Sequence, residues 1–184
     1  MVKNLYMLPE GLPEPVEDGA CDHLQGLALP SVTLPATGGG GVDLSELPGT
    51  AVVFFYPMTG KPEQPPMRGW NKIPGARGCT TQCCGFRDRY PEFQALGVSV
   101  YGVSAQPLAD QKEAVERLHL PYPLLNDTDL KLAESLQLPL FDYDGHRYIK
   151  RMTLLVEGGV IRQVYYPVFP PHLNPTDVLA QLRS

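Results

Sequence analysis

The chain has 184 residues, 43% of them apolar, and 15 Lys and Arg against 20 Asp and Glu give it a net charge of −5. That length and apolar fraction suit one buried core with appended segments, and mild acidity without a dense Lys/Arg run gives no electrostatic basis for binding nucleic acid. No apolar stretch approaches the roughly 18 residues that cross a bilayer, and Met1–Glu10 lacks the apolar core of a secretory signal, so the expectation is a cytoplasmic protein with no membrane or nucleic-acid partner.

Residues 1–26 read as an irregular leader and residues 27–184 as one folded domain. Pro9, Pro13, Pro15, Pro30, Pro35 and Pro48, together with Gly38–Gly41, make residues 8–50 mostly irregular or loosely draped. Only Leu27–Leu34 looks like a strand there. Gly38–Gly41 has no Lys-Ser/Thr behind it and so reads as a flexible turn rather than a phosphate cradle. Ala51–Tyr56 is short, continuous, apolar and rich in β-branched and aromatic residues, the pattern of a buried strand. It runs into an insertion at 58–78 crowded with Pro62, Pro65, Pro66, Pro74, Gly60, Gly69, Gly75 and Gly78. Loops of that length inside a compact domain are usually functional or mobile. Its lone Trp70 either covers the neighbourhood of Cys79 or anchors the loop.

Regular elements follow. A helix from Cys79 through Tyr90 or Phe93 leads to a strand at Val98–Ser104 and an amphipathic helix at Leu108–Leu118, with Ala114, Val115 and Leu118 at helical spacing. A shorter helix, Leu130–Leu138, comes after the capping-type run Asn126-Asp127-Thr128-Asp129. Tyr148–Val156 and Val160–Tyr166 flank Glu157-Gly158-Gly159 as a hairpin. Tyr165–Pro171 is an aromatic, proline-rich connection into a closing helix, with Asn174 as N-cap, Pro175 as first helical residue and Leu182 near its end. Strand, helix, strand, helix, hairpin, helix is the order of a thioredoxin-like α/β fold, a central mixed sheet flanked by helices.

Three of the four cysteines, Cys79, Cys83 and Cys84, fall within six residues at a glycine-led helix start just past the first buried strand. In a reducing compartment such clustering points to catalysis or metal binding before a structural disulfide. A cysteine in the first helical turn faces the positive end of the helix dipole, which favours the nucleophilic thiolate. Arg151 and Arg87 are the candidates to add positive charge and to hydrogen-bond an oxygen substrate. Cys21, in the leader, is either a spectator or a partner for a mixed disulfide. Several rival uses are open to this cluster. Cys79 and Cys83 resemble the soft ligand pair of Sco-type copper chaperones, but none of His23, His119, His146 and His172 stands at a ligand spacing. Zinc would need about four ligands, and a general disulfide oxidoreductase would want Cys-x-x-Cys, which is absent.

The stretch Gly78-Cys79-Thr80-Thr81-Gln82-Cys83-Cys84-Gly85-Phe86-Arg87-Asp88 resembles the active-site helix of the Q-type peroxiredoxins, also called bacterioferritin comigratory proteins. The likeness runs on through Gly102-Val103-Ser104, Leu124-Leu125-Asn126-Asp127 and Arg151-Met152-Thr153-Leu154. It implies a thioredoxin-like fold of the peroxiredoxin type and a peroxidase that reduces hydrogen peroxide and organic hydroperoxides without cofactor or metal. It also implies Cys79 as the attacking cysteine, Cys84 as the resolving one and Arg151 as an assisting residue. The oxidised enzyme would be recycled by thioredoxin or a similar dithiol, and the chain would be a monomer or weak homodimer. The alternative is a thioredoxin-fold copper chaperone or thiol-exchange protein using Cys79 and Cys83.

This chain departs from that pattern at Ala76 and Lys72, where a hydroxyl residue and a proline are usual. Thr59, across the insertion, either folds back beside Cys79 in place of the missing hydroxyl or caps a turn. In an intact helix residues five apart have Cα atoms roughly 8.7 Å apart, beyond the limit of about 7 Å for a disulfide. A Cys79–Cys84 bond therefore requires the helix to unwind. Cys83 starts closer, with roughly 6 Å between Cβ atoms, and can compete.

Overall fold

A computed structural model describes residues 6–184. Residues 1–5, which belong to the signal-sequence reading, lie outside it. The central sheet holds β3 (Thr50–Phe55), β4 (Val98–Ser104), β5 (Leu124–Asn126), β8 (Met152–Glu157) and β9 (Val160–Tyr165), in the order β5-β4-β3-β8-β9. β3 pairs parallel with β4 and antiparallel with β8, so the sheet is mixed and β3 lies at its middle. Its continuous apolar run follows from burial on both faces. Val53 and Phe55 point into one core with Leu24, Leu34, Leu132 and Leu154. Val52, Phe54 and Tyr56 point into the other.

That second face carries the helices of the site. α1 (Cys79–Asp88), α2 (Tyr90–Ala95), α3 (Leu108–Leu118) and α5 (Asn174–Leu182) pack there through Cys83, Phe86, Phe93, Leu118 and Val178. The expected single helix from Cys79 to Phe93 is two: it breaks at Arg89, at φ −103° and ψ 6°, one residue before the Tyr90-Pro91 step. Proline restricts the residue before it and offers no N–H to the ladder.

Four further expectations change. The described residues of the leader form no regular element but are not loosely draped, since Cys21 and Leu24 are 5% and 0% exposed and belong to the first core. The strand expected at Leu27–Leu34 shrinks to β1 (Thr33–Pro35), paired with β2 (Gly41–Asp43) across the Gly38–Gly41 turn, plus a bridge from Ala28 to Val160. The strand expected at Tyr148–Val156 is interrupted at Lys150-Arg151. β6 (Leu140–Tyr143) and β7 (His146–Ile149) form their own hairpin around Asp144-Gly145, both at positive φ, and β8 starts afterwards. The helix expected at Leu130–Leu138 is the shorter α4 (Lys131–Ser135), whose first turn is capped by Asp127 accepting from the Leu132 and Ala133 amides at 3.2 and 2.9 Å.

Of the two roles open to Trp70, the structure shows the anchoring one. The ring is 3% exposed and packs against Phe141, Tyr143 and Tyr148, at centroid distances of 5.8, 5.8 and 5.0 Å. Aromatic pairs of this kind contribute about 0.5–1.5 kcal/mol each beyond area burial, and here they fasten the 58–78 insertion to the β6–β7 hairpin. Trp70 also lines the cleft at Cys79.

Candidate active site

β3 ends at Phe55, and the chain runs on through the insertion to α1 by way of Gly78. Gly78 sits at φ 108° and ψ 15°, a left-handed conformation that glycine adopts freely. A Cβ there would collide with Pro171 and lie 2.9 Å from Leu8 Cδ1. The turn therefore sets Cys79 as the first helical residue. The first rung of the helix runs from the Gln82 amide to the Gly78 carbonyl at 3.0 Å, which leaves the amides of Cys79, Thr80 and Thr81 outside the ladder.

The Cys79 side chain is 3% exposed and meets Arg151, whose Nη2 donates to Sγ at 3.1 Å. Arg151 lies in the break between β7 and β8 and is 4% exposed. Its Nη1 donates to Gln82 Oε1 at 2.6 Å, and Nη2 also reaches the carbonyls of Gly75, Ala76 and Arg77 at 3.2, 3.4 and 3.3 Å. No carboxylate pairs with it among the described residues. Buried charges are ordinarily paired, and of these partners only the Cys79 sulfur can carry a negative charge.

A relay holds the guanidinium in place. Gln82 Nε2 donates to Asn174 Oδ1 at 3.2 Å, and Thr153 Oγ1 donates to the same oxygen at 2.6 Å. α1, α5 and β8 thus each supply a buried polar residue behind Arg151. Sequence reasoning missed all three in this role. Asn174 had the signal of a helix cap, yet α5 begins at Asn174 itself and the side chain points inward.

The other thiols are in different surroundings. Burial pushes the Cys83 thiol well above the usual cysteine range, with the charge of Cys79 adding to the effect. Burial raises Cys84 too, offset in part by Arg87. Cys21 is pushed up to about 12 by burial, and the acidic groups of Glu17, Asp18 and Asp22 add to it. All four cysteines are free. Cys79 and Cys84 both lie within the continuous helix α1, so their Cα atoms stand roughly 8.7 Å apart by helix geometry. The Cys83 carbonyl accepts from Tyr122 Oη at 2.6 Å.

Of the two candidate arginines, the structure brings Arg151 to Cys79 and takes Arg87 elsewhere. Arg87 binds Asp88 at 2.8 Å and the Leu118 carbonyl at 2.9 Å, on the side of Cys84. Thr59 lines the same cleft as Cys79, but its hydroxyl accepts from Gln106 Nε2 at 3.1 Å rather than engaging the sulfur. The cleft has a volume of about 510 Å³ and is walled by Met58, Met67, Trp70, Leu130 and Tyr148 together with Arg77. Among the described residues, Arg151 Nε and Arg77 Nη2 are buried donors with no hydrogen-bond partner. No group of three or more His, Cys, Asp or Glu among these residues is placed to share a metal ion, so the Cys79–Cys83 pair finds no third ligand there.

Comparison with known proteins agrees with this geometry. A family model described as Redoxin matches residues 24–182. Peroxiredoxin Q, chloroplastic, of Oryza sativa subsp. japonica is 32% identical over 161 residues, covering 87% of this chain and 67% of that one. The protein of the same description from Gentiana triflora is 29% identical over 189 residues, covering 100% and 80%. Among solved structures, Peroxidoxin BcpB from Mycobacterium tuberculosis superposes with a TM-score of 0.71 at 27% identity, over 88% of this chain and 97% of its own. The Xanthomonas campestris bacterioferritin comigratory protein shares the fold, with a TM-score of 0.65 at 22% identity over 94% and 97%. A guanidinium-bound cysteine at a helix start, on a mixed sheet of this order and in a sequence with these relatives, leads to one assignment: the chain belongs to the Redoxin family as a peroxiredoxin of the Q type, a thiol peroxidase.

Proposed function

We propose that Cys79 is the peroxide-attacking residue, that Cys84 resolves the product and that Arg151 assists the attack. The observation that carries this reading is the 3.1 Å hydrogen bond from Arg151 to the Cys79 sulfur, made by a buried cation that no carboxylate among the described residues neutralises. The thiolate of Cys79 displaces the distal oxygen of a hydroperoxide, forming an S–O bond as the O–O bond breaks. Cys79 becomes a sulfenic acid and the departing alkoxide takes a proton from water. The amides of Cys79, Thr80 and Thr81 and the free Nε of Arg151 are the donors available to the peroxide oxygens.

In the second step the Cys84 sulfur attacks the sulfenic sulfur, a disulfide forms and water leaves. α1 opens locally to allow it, since an intact helix holds the two residues too far apart. A thioredoxin-like dithiol then reduces the disulfide and returns both thiols. Hydrogen peroxide and small organic hydroperoxides are the substrates.

Counting thiols by mass after one equivalent of hydrogen peroxide tests the assignment. Wild type and Cys83→Ser should each lose a pair of thiols, Cys84→Ser should stop with one added oxygen on Cys79, and Cys79→Ser should react no faster than free cysteine. Rapid turnover by Cys79→Ser would overturn the role of Cys79. Loss of the disulfide in Cys83→Ser with its retention in Cys84→Ser would give the resolving role to Cys83.

A further inference from the structure

The peroxide site has one guanidinium more than the proposed reaction uses. Arg77 stands two residues before Cys79, lines the cleft, and makes no side-chain hydrogen bond or ion pair among the described residues. Its Nη2 is buried without an acceptor. Other charged residues on the cleft wall are already engaged: Lys61 holds Asp110 at 2.6 Å and Arg147 holds Glu134 at 2.8 Å. Burial lowers the proton affinity of the Arg77 guanidinium, and the charge of Cys79 works against that lowering, so the two groups lie within electrostatic reach.

A buried charged donor without an acceptor bears its full desolvation penalty, which makes sense where an acceptor arrives during function. Peroxide cleavage delivers one. As the thiolate takes the distal oxygen, negative charge builds on the proximal oxygen that leaves. Arg151 is already spread over the sulfur, Gln82 and three carbonyls. Ala76 has no hydroxyl to offer, and the Thr59 hydroxyl is held by Gln106.

We infer that Arg77 is a second catalytic arginine, whose unpartnered guanidinium hydrogen-bonds the departing oxygen of the hydroperoxide in place of the hydroxyl missing at Ala76. The inference rests on Cys79 being the nucleophile. The step stays balanced: Arg77 donates a hydrogen bond without giving up its proton, the S–O bond forms as the O–O bond breaks, and the alkoxide or hydroxide is protonated by water. Preorganised donors of this kind are worth the most where leaving-group charge is largest. Hydroxide and alkoxide are strongly basic leaving groups, whereas the carboxylate released by a peracid needs little help.

Leaving-group dependence tests it. Arg77→Met and Arg77→Lys are compared with wild type for the rate of Cys79 oxidation by hydrogen peroxide, tert-butyl hydroperoxide and peracetic acid, and for alkylation by iodoacetamide. Arg77→Met should lose on the order of 10² in rate with the two hydroperoxides, stay within about twofold of wild type with peracetic acid and iodoacetamide, and Arg77→Lys should recover part of the loss. A uniform loss across all four reagents would make Arg77 a group that only activates or positions the thiol, and no loss with hydroperoxides would remove it from the reaction. Either result overturns the inference. Failure of the underlying reading shows separately, as rapid oxidation of Cys79→Ser.

Discussion

Arg151 is more than a source of positive charge at the sulfur, because its planar fork touches the sulfur, an amide oxygen and three carbonyls at once. A lysine ammonium is a point charge with three donors on a flexible stem and cannot span those directions. Arg151→Lys should therefore lower the rate of peroxide attack on the order of 10²-fold despite keeping the charge, measured as single-turnover oxidation of Cys79. Retention of the wild-type rate would mean that charge alone suffices. Asn174 gives a second test at this scale. If it were only a helix cap, Asn174→Ala would cost about 0.5–2 kcal/mol of stability and leave chemistry alone. Here the substitution strips an acceptor from both Gln82 and Thr153, so it should cost about 1–3 kcal/mol in urea unfolding and also slow peroxide attack by loosening Gln82 behind Arg151. The cysteines stood out in the sequence by their clustering at a helix start, and Arg151 through the resemblance around Arg151-Met152-Thr153-Leu154. The relay behind them did not, since Gln82 and Asn174 are 92 positions apart and become neighbours only when α5 closes over α1.

On the proposed mechanism α1 has to be firm enough to hold Cys79 against Arg151 and loose enough to release Cys84. The clamp on it is specific. A Cβ on Gly85 would lie 3.1 Å from Pro175 Cγ and 3.2 Å from the His172 carbonyl oxygen, so the C-terminal segment presses directly on the helix backbone. From the other side Tyr122 donates to the Cys83 carbonyl, a bond of 2.6 Å that unwinding has to break. Tyr122→Phe removes it, which should lower stability by about 0.5–1.5 kcal/mol. If opening limits resolution, disulfide formation after the sulfenic acid should then run up to about tenfold faster, followed by stopped-flow fluorescence of Trp70 or by quenched mass analysis. Unchanged disulfide formation in a variant that is measurably less stable would show that α1 does not open through this bond. Amide exchange over α1 should rise on oxidation for the same reason. Elements that one face or one continuous core dictates were legible from sequence: β4 and α3 carry the ranges Val98–Ser104 and Leu108–Leu118 that their patterns imply. The β6–β7 hairpin was hidden because its outer residues alternate poorly and its reason for existing is the Trp70 cluster, a contact across more than 70 positions. Its Asp144-Gly145 turn was nevertheless a readable signal.

At the scale of the whole molecule, the four thiols divide between the two cores. Cys79, Cys83 and Cys84 sit in the helical core, and Cys21 sits in the opposite one, its sulfur donating to Met152 Sδ at 3.8 Å directly beside Arg151 in sequence. The leader thus packs against Met152, the first residue of β8, which directly follows Arg151. Burial raises the titration of Cys21, Cys83 and Cys84, and of Tyr56 and Tyr122. In the unfolded chain thiols lose their protons near 8.5 and tyrosines near 10, while the folded chain keeps these protons to higher pH. Above about pH 8.5 the unfolded state therefore binds fewer protons than the native one, and stability falls as pH rises. The contribution is fully present below that pH and is lost progressively through the raised native values. Cys21, protonated in the fold up to about 12, should alone remove about 2–3 kcal/mol by about pH 10.5. The urea midpoint of the reduced protein should drop steeply between about pH 8 and pH 10.5, and Cys21→Ala, although less stable at the lower pH, should show a shallower fall. A midpoint that stays level across that interval would mean that the buried thiols of Cys21, Cys83 and Cys84 ionise as readily in the native state as in the unfolded chain.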